Sequence, residues 1–359
     1  MWSHSLSSTS WQRMSRYGIP KNTLAKYACA FIAAFRIIPG YFSNGDSAGM
    51  ACMNILIAGR RLGMTLRYYL TFGRFPNYMR PTAMSEKLQW RKVFDRNPVL
   101  GTLCDKLEMR RYAAARAPLV QFPNLYWSGE ALDRMPLDEI PLPFVVKANN
   151  RSRANIFVRR PEDLDRSRIA EQCRKWLESK PYGRNLGEWG YSQVESKILI
   201  EEFLSDGANL TPPPNYDVFV FNGRAGCVYF STGRYSSRAP AHCLYSADWE
   251  KLPVNRWRER GFVPLDGTAP KPNNLDVMID AAEKIAAEID FARVDFYNLD
   301  GEVYLGEVSL YPNSGLTMWV AEDADMSGWP PRSVDDQFGA LWELPSIPFG
   351  ICVRRGLMG

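Results

Sequence analysis

Residues 292–308 constrain this chain more than any other stretch. Ala292 to Tyr297 (ARVDFY) alternates like a half-buried strand, Asn298-Leu299-Asp300-Gly301 reads as a turn, and Glu302 to Val308 alternates again. Strands that pair across such a turn bring Asp295 towards Glu307, and Arg293, two residues before Asp295, shares its face. Two close carboxylates either share a proton or bind a cation. With no histidine nearby, hard oxygen ligands of this kind suit Mg²⁺. The plainer alternative is a solvated hairpin with alternating polar residues. The strand then runs into Pro312-Asn313-Ser314-Gly315, a turn where a substrate would meet backbone amides.

A second hairpin carries a different signal. Phe144-Val145-Val146 is an apolar run ending in Lys147, and Ile156-Phe157-Val158 starts its partner. A lysine in that place often reaches a nucleotide phosphate. Such hairpins are usually rich in glycine, because the backbone must approach the phosphates closely. This one has none between Asn149 and Arg153 and carries Arg151, Ser152 and Arg153 instead. Arginine binds phosphate through a side-chain fork and needs no close backbone approach. The loop is therefore expected to close with side chains, the alternative being an ordinary surface hairpin.

The remaining text alternates helical and strand patterns. Helices are expected over about 51–117, one opened by Ser85 as N-cap, another from Leu103 to Arg116. Strand-like runs follow at 119–127, 143–148 and 154–159, then a helix at about 161–180. Lys197 to Leu204 (KILIEEFL) reads as a strand with an acidic end, and 216–222 pairs with 225–232 across Asn222-Gly223. Asn274 caps a helix at 273–290 with one apolar face. The last thirty residues, rich in Pro and Trp, are expected to wrap the surface. Mixed elements with many antiparallel pairs point to an α+β fold rather than a doubly wound parallel sheet.

Composition narrows the chemistry. Two histidines, His4 and His242, argue against a histidine metal cage, and against Ser-His or Cys-His catalysis unless His242 is the base. Seven scattered cysteines without a C-x-x-C read as reduced thiols in a cytoplasmic protein. Residues 1–80 hold ten Lys/Arg and one acid, Asp46; the other 279 residues then carry 34 bases and 38 acids. A basic arm of this kind suits an anionic membrane surface or polyanionic glycan, or is a solvated helix surface. No nucleic-acid-binding motif accompanies it. The apolar segment Tyr27 to Phe35 is shorter than the roughly 20 residues a membrane span needs; a buried or interfacial helix is expected there, and no signal peptide.

Several stretches together resemble the TupA-like ATP-grasp family: LRYYLTFGRFPN from Leu66, SEKLQWRKVFDRNP from Ser85, LCDKLEMRRY from Leu103, FVVKANN from Phe144, ILIEEFL from Ile198, VFNG from Val220 and RVDFYNLDGEVYLGEVSLYPNSG from Arg293. They run from Leu66 to Gly315, about two-thirds of the chain. The EKLQWRK tract and the last are distinctive. The resemblance implies an ATP-grasp fold, two α+β lobes clasping a nucleotide, with a helical basic N-terminal region. It implies a division into 1–80, a pre-grasp portion 81–142, a small lobe 143–204 with phosphate hairpin and hinge, a large lobe 205–325 with metal hairpin, and a C-terminal wrap 326–359.

Residue by residue, Lys106 and Lys147 resemble the phosphate-contacting lysines, with Arg151, Ser152 and Arg153 as the covering hairpin. Glu201, Glu202, Phe203 and Leu204 resemble the hinge that reads adenine. Asp295 and Glu307 resemble the Mg²⁺ ligands, and Ser309 stands where many members place a metal-binding asparagine. Arg293 resembles the arginine that stabilises the acyl-transfer intermediate. Arg234 and Arg238, His242 as an acceptor-side base, and Asn313 and Ser314 are expected on the acceptor side. Two departures accompany the hairpin: Asp217 replaces a basic residue, and Asn313 stands where glycine is more usual.

The expected activity is an ATP-dependent carboxylate–amine ligase using ATP and Mg²⁺, forming an amide through an acyl phosphate in cell-surface polysaccharide biosynthesis. Its partners would be small-molecule or glycan carboxylates and amines, with residues 1–80 against an anionic membrane or polysaccharide. The location would be cytoplasmic, peripheral to the inner face of the membrane. The alternatives are a catalytically impaired ATP-grasp scaffold binding nucleotide or glycan, and a sugar transferase.

Overall fold

A computed structural model describes residues 47–180, 182–205, 210–233, 239–256, 263–325, 331–347, 351 and 355. Tyr27 to Phe35, Arg234 and Arg238 lie outside the described residues. The chain divides into two units, Met1–Leu62 with Pro348–Gly359, and Gly63–Ile347. In the first, α1 spans Ser47–Arg60. Among the described residues no helix is long and apolar enough to cross a membrane.

Two sheets organise the second unit. The smaller holds β1 (Leu125–Gly129), β2 (Phe144–Ala148), β3 (Asn155–Val158) and β4 (Ile198–Glu202), all antiparallel in the order β1-β4-β2-β3. β4 is central, which is why Ile198, Leu199 and Ile200 are all apolar and fully buried. The helix α6 (Arg166–Glu178) covers one face through Ile169 and Cys173. It starts five residues later than the sequence suggests, with Asp165 accepting the Arg168 N–H as its cap. β1 draws this sheet's first strand from the stretch expected to precede the lobe.

The larger sheet contains β5 (Asn215–Phe221), β6 (Arg224–Thr232), β7 (Ala241–Ser246), β9 (Val263–Pro264), β10 (Phe291–Leu299) and β11 (Glu302–Ser309), ordered β11-β10-β5-β6-β7-β9. Among the described residues its named strands pair antiparallel except β7 and β9, which run parallel. β8 (Val254–Arg256) pairs with β12 (Trp319–Ala321) in a separate ribbon. The Asn222-Gly223 turn between β5 and β6 has both residues at positive φ, the geometry that matches strand twist in a two-residue hairpin.

Alternation divides the core. Val218, Val220, Val294 and Phe296 face α4 (Val99–Cys104), α5 (Lys106–Arg116) and α7 (Leu275–Ile285). Phe219, Phe221 and Phe291 face the opposite way, onto α3 (Met84–Phe94) and α8 (Ser333–Ala340). Between α1 and α3 lies α2 (Leu62–Phe72). The last thirty residues thus do more than wrap the surface: Trp342 is fully buried and stacks on Phe291 at 4.6 Å between ring centroids. Ser85 is not the cap of α3, which begins at Met84 after Ala83; its hydroxyl meets the buried Asp335 carboxylate at 2.5 Å.

Candidate active site

The two hairpins singled out in the sequence line one cleft of about 440 Å³, a size ordinary for a small-molecule site. Lys106, Lys147, Arg151, Ser152, Arg153, Glu201, Glu202, Phe203, Leu204, Arg293, Asp295, Glu307 and Asn313 all reach its wall. Residues from 106 to 313 meet there because β2 to β4 supply one side and β10 and β11 the other.

The carboxylates come from neighbouring strands. Asp295 lies opposite Asp217 on β5 and opposite Glu307 on β11. The β10–β11 register shifts just after Asp295, a bulge of the kind that re-aims side chains. Arg293 sits among the three acids. Its Nε and Nη2 donate to the two Asp295 oxygens at 2.7 and 2.5 Å, and it lies 3.5 Å from Glu307 and 3.7 Å from Asp217. Burial works against the Arg293 charge, but the surrounding acids outweigh it and hold its pKa well up. Burial also pushes the Asp295 carboxyl up, and Asp217 and Glu307 add to this against the pull of Arg293. Carboxylates thus outnumber the guanidinium they surround three to one.

That excess, on hard oxygen donors, fits a divalent cation that brings phosphate oxygens of its own, since Mg²⁺ typically takes one or two protein carboxylates. Among the described residues no set of three or more His, Cys, Asp or Glu is arranged as a complete protein cage. Asp295 and Glu307 are the residues that would hold such an ion. Ser309 faces Arg293 across β10–β11 and is not among the cleft-lining residues.

The opposite wall is cationic. Lys106 opens α5, is half-buried, and donates from Nζ to the Arg151 carbonyl at 2.7 Å. Burial lowers its pKa, while the Glu307 charge opposes that shift. Lys147 is ion-paired with Glu201, which Arg110 also reaches at 3.4 Å. Glu202 accepts from the Asn124 side chain at 2.8 Å and backbone at 3.2 Å. Both Glu201 and Glu202 are therefore committed to partners within the protein.

The hairpin's asparagines are structural. Asn149, fully buried, accepts the Lys197 N–H at 2.8 Å and donates to the Glu195 carbonyl at 3.0 Å. Asn150 bonds the Ser196 hydroxyl at 2.8 Å. These staples fix the base of a loop in which Arg151 is half-buried and Ser152 and Arg153 are exposed. Arg153 has φ 59°, the left-handed region that glycine adopts without strain. Asn313, the other departure from glycine, has φ 44°. Both positions keep glycine-like backbone geometry while carrying a side chain.

His242 and Ser314 are buried away from the cleft lining. His242 stacks near Tyr229 at 5.4 Å, and burial with the Arg256 charge lowers its pKa to about 4. An imidazole so placed does not meet an acceptor in the cleft. The sequence reading passed over Arg256, whose guanidinium lies over the Tyr229 and Trp319 rings at 4.8 and 5.3 Å and lines the cleft. No local motif distinguishes it from the arginines that follow it. Phe157 was legible as a strand residue; its place in the cleft follows from β3's pairing with β2.

The sequence matches the family described as TupA-like ATPgrasp over residues 86–327. The chain belongs to that family. The fold is thus the α+β ATP-grasp fold. Among solved structures, a D-alanine–D-alanine ligase from Bacillus anthracis is 15% identical, over 58% of this chain and 56% of that one, with a TM-score of 0.35. An L-amino acid ligase from Bacillus licheniformis is 14% identical over 60% and 42%, with a TM-score of 0.36. A D-alanine–D-alanine ligase from Helicobacter pylori is 15% identical over 64% and 63%, with a TM-score of 0.34. The chain spans between two-fifths and two-thirds of the length of these ligases. Among curated proteins no match is found.

Proposed function

We propose that this TupA-like ATP-grasp protein is an ATP-dependent carboxylate–amine ligase that forms an amide through an acyl phosphate. The observation that carries the reading is one cleft with a cationic hairpin wall and a carboxylate wall around Arg293. In it, Lys106, Lys147, Arg151 and Arg153 take the triphosphate, residues 201–204 flank the base, and 143–204 and 205–325 act as the two lobes. Lys147 exchanges Glu201 for phosphate, a trade between two charge-assisted partners. Mg²⁺ held by Asp295 and Glu307 would neutralise charge on the phosphates. A substrate carboxylate oxygen attacks the γ-phosphorus and ADP leaves. The amine nitrogen then attacks the acyl carbonyl, Arg293 donates to the developing oxyanion, and inorganic phosphate leaves with its bonding pair and takes the proton that the nitrogen loses. Chemistry that rests on position and charge needs no histidine base.

The substrates on this reading are a carboxylate and an amine from cell-surface polysaccharide assembly, with residues 1–80 holding the protein on the inner membrane face or an anionic polymer. A second reading, a nucleotide-binding scaffold, draws on the pairing of Lys147 with Glu201 and of Arg293 with Asp295. Calorimetry with ATP, with and without Mg²⁺, followed by phosphate release with candidate acceptors, separates them. Mg²⁺-dependent binding with turnover to ADP and phosphate supports the ligase. Binding without turnover for any carboxylate–amine pair supports the scaffold. Absence of binding by the folded protein overturns both.

A further inference from the structure

The EKLQWRK tract lies in α3, and its polar residues are buried. Gln89 and Lys92 are 1% and 3% exposed. Buried polar groups on a helix need partners, and these find them on the Pro312–Gly315 turn. Lys92 Nζ donates to the Ser314 carbonyl at 2.5 Å and meets its hydroxyl at 2.6 Å, with Gln89 Oε1 at 3.2 Å. Gln89 Nε2 donates to the Ser314 carbonyl at 3.1 Å and the Gly315 carbonyl at 3.4 Å. The Glu188 carboxylate lies on the same hydroxyl and attracts Lys92.

The turn these groups hold is strained. Asn313 and Ser314 have φ of 44° and 59°, and Gly315 follows at 67°. Two consecutive non-glycine residues in the left-handed region persist only where the surroundings over-determine them. An added Cβ at Gly315 would stand 2.7 Å from Leu88 Cβ and Gln89 Nε2, so the turn lies tight against α3. Asn313, at its tip, lines the cleft with Arg293 and Glu307, and its amide donates to the Thr317 hydroxyl at 3.1 Å.

We infer that Lys92 and Gln89 are positioning residues for the cleft: they hold the 312–315 turn left-handed and thereby set Asn313 in the cleft wall. The inference rests on the cleft's being the nucleotide and acyl-transfer site only for its effect on ligand binding. The brace itself is read separately.

Hydrogen exchange of the 311–318 peptide reads it directly, since the Ser314 N–H bonds the Tyr311 carbonyl at 2.7 Å and the Leu316 N–H the Asn313 carbonyl at 3.1 Å. In Lys92→Met, exchange there is expected to quicken at least tenfold, with β2 to β4 unchanged and Mg-ATP affinity at least fivefold weaker. Gln89→Met, which removes the second arm, is expected to act in the same direction and serves where Lys92→Met fails to fold. Ser314→Gly added to Lys92→Met is expected to slow the exchange again by at least threefold, because glycine takes the left-handed conformation without cost. Unchanged exchange at the turn, exchange quickened equally everywhere, or no slowing with glycine overturns the inference. If the exchange pattern holds while wild type binds no ATP, the positioning stands and the ligase reading falls. If ATP binds and the pattern fails, the inference alone falls.

Discussion

Replacing Arg153 by glycine separates two ways in which the proposed phosphate-covering hairpin could close. Arg153 stands at φ 59°, a region that costs a residue with a Cβ about 1 kcal/mol or more. Glycine removes that cost but brings about 0.5–1 kcal/mol of extra chain freedom in the unfolded state. The two nearly cancel, so Arg153→Gly is expected to change stability by less than about 1 kcal/mol. Affinity is a different matter. A hydrogen bond from a charged group contributes about 1.5–3 kcal/mol, and Arg153 is exposed, which places it at the low end. Mg-ATP binding is then expected to weaken about tenfold, from about 1.4 kcal/mol. Calorimetry at fixed ionic strength gives the affinity, and a urea melt gives the stability. Equal or tighter binding by the glycine variant would refute the reasoning, because the backbone rather than the arginine would then be meeting the phosphates.

Lys147→Met removes the proposed phosphate contact and one partner of Glu201, which keeps Arg110 at 3.4 Å. Calorimetry should show no Mg-ATP binding, with a stability loss of roughly 1–3 kcal/mol. In Asp295→Asn the dependence of ATP binding on Mg²⁺ should disappear; a retained dependence would move the cation elsewhere. Gly315→Ala meets both a close Leu88 contact at 2.7 Å and a φ of 67°, so urea denaturation should report a loss of roughly 2–4 kcal/mol. His242 is held down to about 4 from 6.5. Between those values the unfolded chain binds the extra proton and the folded protein does not, so His242 withdraws stability as pH falls from 6.5 to 4. Asp335, raised to about 6, acts in the opposite direction over part of that range. The wild-type-minus-His242→Phe difference isolates the histidine, and a flat difference would contradict the assignment.

The parts legible in the sequence were those where chemistry and period coincide. Alternation around Asn298–Gly301 gave the β10–β11 pair, and the apolar run to Lys147 gave β2. Asp217 was legible only as a departure. That it joins Asp295 and Glu307 in one row depends on β10 lying between β5 and β11, a non-local pairing with no local signal. Gln89 and Lys92 read as ordinary polar helix residues, because their burial comes from a turn more than two hundred residues away. Ser85 is a good cap by residue type, but the chain gives its hydroxyl to Asp335 and starts the helix two residues before that cap would. Tertiary partners override local preference in each case.

The departures from the family pattern are connected. At two glycine-like positions on the cleft, Arg153 and Asn313, the backbone keeps the left-handed turn while a side chain has been added. A left-handed residue with a side chain needs something to hold it. For Asn313 that is the α3 brace; for Arg153 it is the stapling of Asn149 and Asn150 to the approach to β4. The hairpin side of the cleft thus presents side-chain donors, and behind the other side the buried Asp217 of β5 stands opposite Asp295. Lys106, Lys147, Arg151 and Arg153 on one side and Asp295 and Glu307 on the other give the cleft opposite charge across its width. A ligand that carries phosphate and a divalent cation together matches that polarity better than either alone. On this reasoning ATP and Mg²⁺ should each bind more tightly in the presence of the other, which calorimetry of each with and without its companion measures.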